Sequence, residues 1–296
     1  MKVTALDQAR PRERRVAVGQ FDGVHIGHRE VIRGSDTVLT FDPHPLSVIH
    51  PEAMPKLLIS TAMKAELLDD LGVEEMVVIP FDREFASVSA QDFIDKVLVE
   101  QLGAVRVSVG ENFRFGHRAS GDAALLREHD AFETRVASLI EVEGEIVSSS
   151  HIRGLIAAGD VEHAAPFLGA PFRMRRPVVE GDRRGRALGY PTANLVPDDA
   201  YVVPGHGVYA CRAGDRCAAV NVGVRPTFET GRGLLVEAYL LDFEGDLYGQ
   251  ELTVEFLTRL RGERRFESSD ALVEAMRRDE RQAREACQRF ATVPRR

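Results

Sequence analysis

Cysteine is scarce in this chain of 296 residues: Cys211, Cys217 and Cys287 are the only three. An odd number with no CxxC spacing argues against a disulfide framework and against a zinc site, so three reduced thiols are expected. Long apolar runs are also missing. No stretch approaches the roughly 18 residues that span a bilayer, and the charged N-terminus lacks an apolar segment of signal-peptide type. A cytoplasmic protein with no membrane partner is expected. Positive charge is not in excess either. The 38 Lys and Arg face 46 Asp and Glu, for a net charge of −8, which argues against a protein that coats nucleic acid. Internal repeats and low-complexity linkers are absent.

What is present is ordinary globular material. Hydrophobic residues make up 44% and charged residues 28%, and the length suits two domains that each bury a core. From Val16 to about Gly169, short apolar runs alternate with helical periodicity. Strand-like runs are 16–19, 38–41, 75–80, 105–110 and 135–141. Helical segments at 61–71 and 90–102 are stopped by Gly72 and Gly103, and Ser89 with Asp92 forms a capping signature. Such alternation predicts a parallel sheet covered on both faces, with ligands at the carboxyl ends of its strands. After Pro171 the character changes. Strand-like runs at 173–180, 207–212, 217–222, 234–243 and 251–257 have turns and no helix between them, which predicts an antiparallel sheet or small barrel. A final helix is expected over 268–290, with Leu272, Met276, Ala283 and Cys287 on its packed face. The division falls where Pro166 and Pro171 bracket four residues, giving domains of 1–168 and 169–296.

Two glycine-punctuated segments carry the chemistry. The first, Gly19-Gln20-Phe21-Asp22-Gly23-Val24-His25-Ile26-Gly27-His28, joins a strand to a helix start. That arrangement aims backbone N–H groups at a phosphate. His25 and His28 stand at the helix mouth, where imidazoles can donate to phosphate oxygens as negative charge grows, so the turn suits adenylyl transfer. Asn112 and Phe113, in Gly110–Gly116 after another strand, offer an amide and a ring to a planar ligand. Ser149, Ser150 and Arg153 open a further helix, and the arginine suits β- and γ-phosphates. His44, in the rigid Phe41-Asp42-Pro43-His44-Pro45, is positioned at the same edge, although a rigid turn explains that segment equally well.

The second segment is Gly185-Arg186-Ala187-Leu188-Gly189-Tyr190-Pro191-Thr192-Ala193-Asn194. Thr192 and Asn194 fall on one side of an extended chain, and their oxygens are hard ligands suited to Mg²⁺ on a nucleotide. No Gly-Lys-Ser/Thr follows, so it is not a Walker loop. Glu237 lies in Leu234–Leu241 with apolar residues on either side, and enclosure on both faces would raise its pKa and make it a better base. An acid satisfied by an arginine is the competing account. Arg225 follows in Asn221–Phe228, a segment that would shape an acceptor pocket.

With these motifs in order, the chain resembles the bacterial bifunctional riboflavin kinase/FMN adenylyltransferase (FAD synthetase) family over about residues 16–290. The resemblance implies a Rossmann-like nucleotidyltransferase domain followed by a small β-barrel kinase domain. It implies Mg²⁺, ATP and riboflavin, with FMN and FAD as products. His25 and His28 correspond to the phosphate-handling histidines, Asn112 to the amide of the nucleotide or flavin site, and Arg153 to the phosphate-gripping arginine. Gly19, Phe21, Asp22, Gly27, His44, Phe113, Ser149 and Ser150 fall in the same ATP and flavin site. Thr192 and Asn194 correspond to the Mg-nucleotide ligands and Glu237 to the base, with Gly185, Gly189, Pro191 and Arg225 around the kinase nucleotide and flavin. A homo-oligomer is left open.

Three departures stand out. Gln20 replaces a frequent Asn, and His151 a frequent Arg. Only nine residues, 29–37, separate His28 from the next strand, which leaves room for a helix of one or two turns where the family usually has a full one. A kinase with a weak or inactive first domain, or a non-catalytic flavin-binding regulator, therefore stays as an alternative.

Overall fold

A computed structural model of the chain describes residues 1–180, 191–224 and 233–291. It divides into two compact units, Met1–Ser149 and Ser150–Arg296. In the first, β1 (Lys2–Ala5), β2 (Arg14–Val18), β3 (Thr37–Asp42), β4 (Glu75–Pro80), β5 (Ala104–Gly110) and, further on, β8 (Glu133–Ala137) form one sheet. The order is β1-β4-β3-β2-β5-β8 and every pairing is parallel. Val16, Ala17 and Val18 are all buried. Successive residues of a strand face opposite ways, so this sheet is covered on both sides. Two small hairpins complete the strands: β6 (Arg114–Phe115) with β7 (Gly121–Asp122), and β9 (Glu141–Val142) with β10 (Glu145–Ile146).

The helices of this unit are α1 (Ile26–Ile32), α2 (Pro45–Ile49), α3 (Thr61–Asp70), α4 (Ala90–Asp92), which continues as a wider helix over Phe93–Gln101, and α5 (Ala123–Arg127). The expected cap is present: Ser89 Oγ accepts from the Asp92 N–H at 3.0 Å. Gly103 ends the wider helix at φ +65°, and a Cβ there would sit 2.5 Å from the Arg12 carbonyl oxygen. The chain runs from β2 to β3 and β4 on one side, then crosses to β5 on the other. The carboxyl end of β2 is therefore the topological switch point, where open α/β sheets bind ligands. Two expectations shift: the last strand of the sheet is Glu133–Ala137, and β1 extends the edge beyond the segment read as strand-rich.

The second unit opens with α6, whose span Ser149–Ala158 starts at the boundary, and α7 (Val161–Leu168). It then builds β11 (Phe172–Val179), β12 (Ala193–Leu195), β13 (Gly207–Ala213), β14 (Arg216–Val224), β15 (Leu234–Leu240) and β16 (Glu251–Arg261). These close into an antiparallel barrel, β11-β12-β15-β14-β13-β16. Val220, Val222, Val236, Ala238, Val254 and Phe256 are fully buried within it. The C-terminal helix Ser269–Ala291 packs on β13, β14 and β16. Its buried stripe is Ala275, Asp279, Ala283 and Ala286; of the expected Leu272, Met276, Ala283 and Cys287, Ala283 is fully buried and the other three are half-buried. Small side chains bring the helix close to the barrel, and Arg261 grips the buried Asp279 carboxylate at 2.8 to 3.1 Å.

The cysteines also depart from expectation. Cys217 of β14 and Cys287 of the C-terminal helix form a disulfide, with Cα atoms 6.0 Å apart. Their separation of 70 residues hid this, because helix-on-barrel packing creates the proximity. Cys211 alone is free and buried, and burial pushes its thiol pKa well up.

Candidate active sites

The first site is assembled by the turn after β2. Phe21 (φ 51°), Gly23 (φ 89°) and Val24 (φ 43°) carry positive φ in close succession. For a β-branched valine that conformation is strained, and such strain persists where surrounding contacts enforce it. Asp22 supplies one of those contacts. Its buried carboxylate accepts from the Leu58 N–H at 2.9 and 3.1 Å and from the Ile59 N–H at 3.3 Å. Asp22 therefore clamps the turn. Ser149 Oγ donates to the Asp22 carbonyl at 2.9 Å, adding a second tether.

The turn delivers its histidines as a pair. His25 is the N-cap of α1, and its Nδ1 accepts from the His28 N–H at 3.2 Å. An accepting Nδ1 leaves the proton on Nε2, so the neutral ring presents one donor. The two rings stack with centroids 3.5 Å apart, and Phe21 meets His28 edge-on at 5.3 Å. A Cβ on Gly27 would stand 3.3 Å from the His25 ring. The His28 Nδ1 and the Gln20 Oε1 are both enclosed without a hydrogen-bond partner among the described residues. Burial, then His25, then Lys64 hold the His28 pKa well below the ordinary histidine value, so the ring is neutral at pH 7. Of the two, only the His28 Nδ1, carrying the ring proton, can donate to a polyanionic ligand at the helix mouth, whereas the Gln20 amide oxygen only accepts.

The expected short helix is there: α1 has seven residues, two turns. His44 caps α2 in the same way that His25 caps α1, its Nδ1 accepting from the Leu46 N–H at 3.1 Å. Asn112 is exposed, with Oδ1 turned back over Gly110. Phe113 is half-buried and stacks on Phe115 at 5.6 Å, so its ring belongs to the rim of the core. In the second unit, Arg153 donates to Ser150 Oγ at 2.9 Å, and His151 packs on Phe167. Lys64 is a residue that the sequence reading missed. It lies inside α3 and is only 4% exposed.

A separate cavity of about 460 Å³ is lined by Lys2, Gln8, Arg10, Pro11, Arg12, Arg14, Glu74 and Glu75. It sits at the amino ends of β1, β2 and β4, away from the switch point, and its Arg12 and Arg14 are already engaged by Glu75.

The second site lies on the barrel wall. Asn194 of β12 stands opposite Glu237 of β15, and Glu237 stands opposite Asn221 of β14. Directly opposed residues project to the same face, so these three polar side chains form a row across three strands. Asn221 was singled out only as part of a pocket-shaping loop, and the register gives it a place beside the acid. Asn194 is buried, while Thr192, two residues before it, is half-buried and Pro191 is exposed. The expected enclosure of Glu237 on both faces is not found. In β15, Val236, Ala238 and Leu240 point inward, whereas Leu235, Glu237 and Tyr239 lie on the half-exposed face. Alternation in a closed barrel overrides the apolar run. Gly185, Gly189 and Arg225 lie outside the described residues. Among the described residues no cluster of His, Cys, Asp or Glu could hold a metal. A hydroxyl and an amide oxygen at Thr192 and Asn194 still fit Mg²⁺ whose other ligands are phosphate oxygens and water.

Comparison with known proteins divides the chain in the same order. A family profile described as FAD synthetase matches residues 7–151, and one described as riboflavin kinase matches residues 168–287. The bifunctional riboflavin kinase/FMN adenylyltransferase of Pseudomonas fluorescens is 36% identical over 95% of this chain and 96% of its own length. The enzyme of the same name from Listeria monocytogenes is 33% identical over 91% of each. A solved structure described as a macrolide-efflux protein from Streptococcus pneumoniae superposes with a TM-score of 0.87 at 31% identity, over 96% of this chain and 99% of that one. With both profiles matched in series and relatives aligned nearly end to end, the chain belongs to the bifunctional riboflavin kinase/FMN adenylyltransferase family.

Proposed function

We infer that this chain phosphorylates riboflavin with ATP to give FMN, then transfers AMP from a second ATP to FMN, giving FAD and pyrophosphate. The observation that carries the reading is the stacked His25–His28 pair at the switch point, with a polar nitrogen left for a ligand. The Asn194–Glu237–Asn221 row supports a separate kinase site. We place the functional division after residue 168 and the protein in the cytoplasm, although the disulfide removes the thiol argument for that location. Among the described residues no helix is long and apolar enough to cross a membrane.

In the kinase step Glu237 takes the proton from the riboflavin 5′-hydroxyl. The oxygen then bonds to the γ-phosphorus as the bond to the bridging oxygen breaks and ADP leaves. Thr192 and Asn194 would hold Mg²⁺, which supplies charge neutralisation along the phosphates when bound. In the adenylyl step an oxygen of the FMN phosphate bonds to the α-phosphorus of ATP, and pyrophosphate leaves. His25 and His28 donate to the phosphate oxygens where charge accumulates, and no covalent intermediate on the protein is needed. Arg153 binds the leaving phosphates, and Asn112 holds the nucleotide or the flavin.

The test is turnover of purified protein with riboflavin, ATP and Mg²⁺, with products separated by chromatography. FMN followed by FAD is expected. FMN alone would favour a kinase with an inactive first domain, the reading that the short α1 permits, and no turnover would favour a flavin-binding regulator. Glu237→Gln should stop FMN formation and spare FMN-to-FAD conversion, and His28→Ala should do the reverse, each by about a hundredfold or more. Equal damage to both activities in either variant would refute two separate sites.

A further inference from the structure

Lysine buried inside a helix is costly unless its ammonium is engaged. Lys64 of α3 is such a residue, 4% exposed. Its Nζ donates to the Gln20 carbonyl at 2.6 Å and to Thr40 Oγ1 at 3.1 Å. Thr40, on β3, also donates to the Gln20 carbonyl, at 3.3 Å. The ammonium therefore rests beneath the first residues of the glycine turn, tied to strand β3 on one side. The segment leading into α3 is fixed to the same turn, through the Asp22 carboxylate on the Leu58 and Ile59 N–H groups. Among the charged groups that act on Lys64, Asp22 and Asp42 favour its charged form. Asp42 itself accepts from Thr61 Oγ1 at 2.7 Å.

We propose that Lys64 is a positioning residue for adenylyl transfer, fixing the Gln20–Asp22 backbone from beneath and lending a buried positive charge to the histidine-bearing anion cradle. The proposal rests on the reading of that turn as the adenylylation site. Two features support it together. After burial and the neighbouring His25, the Lys64 charge helps to hold the His28 pKa down. A purely structural position in α3 would be filled at less cost by an apolar residue, since a buried ion pair is seldom worth more than a hydrophobic contact. Burial brings the Lys64 pKa down to about 8 against the pull of Asp22 and Asp42, which leaves it largely protonated at neutral pH.

The undivided chain allows an internal control, because riboflavin phosphorylation reports on the other matched segment. Lys64→Met and Lys64→Gln are compared with wild type and His28→Ala for both activities, with thermal melting alongside. In both Lys64 variants kcat for FMN adenylylation is expected to fall by about tenfold to a hundredfold, with KM for FMN and the kinase rate within about twofold of wild type. The acid limb of the adenylylation profile should also move to higher pH. The charges acting on His28 are those of His25 and Lys64, and losing one lets the imidazole protonate earlier as pH falls. Thr40→Val, which removes one Lys64 partner in a near-isosteric way, should lower kcat by about threefold. It carries the test if the Lys64 variants fail to fold. Wild-type kcat and an unmoved acid limb in folded Lys64 variants, or wild-type kcat in Thr40→Val, would overturn the proposal. Retained adenylylation in His28→Ala would instead sink the underlying site assignment.

Discussion

Arg135 holds Glu30 twice: its Nη1 donates to the Glu30 carbonyl at 2.8 Å, and its Nη2 pairs with the Glu30 carboxylate. The same Nη1 reaches the Arg33 carbonyl at 3.3 Å. Helix α1 ends at Ile32, so these are carbonyls that a longer helix would satisfy with its next turn. A cation from β8 now occupies that position, at the negative end of the helix dipole. The arginine thus offsets part of what the truncation removes, and it steadies the helix whose other end carries His25 and His28. Arg135→Met should destabilise the first unit by roughly 1–3 kcal/mol. It should also lower FAD formation while sparing FMN formation. Calorimetry with both assays checks this, and an unchanged unfolding transition would sink it.

Much of this architecture was legible because short apolar runs and glycine stops report directly on local structure. The β2 strand, the glycine turn, the Ser89 cap and most barrel strands are of that kind. Lys64 was not legible. Within Thr61–Asp70 a lysine reads as a solvated face, and only the Gln20 carbonyl, 44 residues away in sequence, shows why it is buried. Glu237 misled in the opposite direction. Leu234, Leu235 and Val236 before it suggested enclosure, yet barrel closure turns its side of β15 toward the half-exposed face. Asn221 gained meaning only from cross-strand register, which no single segment encodes.

Glu75 ties acid stability to the amino ends of the sheet. It accepts from Thr4 Oγ1 at 2.8 Å, from Arg14 Nη2 at 3.1 Å and from Lys2 Nζ at 3.4 Å. Burial alone would raise its pKa, but the hydrogen bonds from Thr4 and Arg14, the Arg14 charge and the Lys2 contact outweigh it and bring the value to about 2. The folded pKa lies below the unfolded value of roughly 4.3, so the unfolded chain binds more protons between the two. The stabilisation is thus complete above about pH 4.3 and is lost as pH falls toward 2. Urea unfolding across that window should show declining stability in wild type. Glu75→Gln should remove this component and also cost about 3 kcal/mol or more at neutral pH, because the buried Arg14 loses its counter-charge. Parallel pH profiles in the two proteins would count against the assignment.

The Cys217–Cys287 bond closes a loop spanning 70 residues and pins the C-terminal helix to β14 of the barrel. Constraining so long a loop restricts the unfolded chain, so the bond is expected to contribute roughly 2–4 kcal/mol to the second unit. Cys217→Ser and dithiothreitol-reduced wild type should lose the same stability, because each opens the same loop. Cys211 makes the comparison clean: it is buried, its thiol is held protonated by burial, and it offers no ready substitute partner. The measurement is a guanidinium midpoint for each protein with and without reductant. A reductant effect that persists in Cys217→Ser would mean that the stabilisation comes from elsewhere. Identical midpoints for oxidised and reduced wild type would mean that Ala275, Ala283, Ala286 and the Arg261–Asp279 pair already hold the helix without the covalent link.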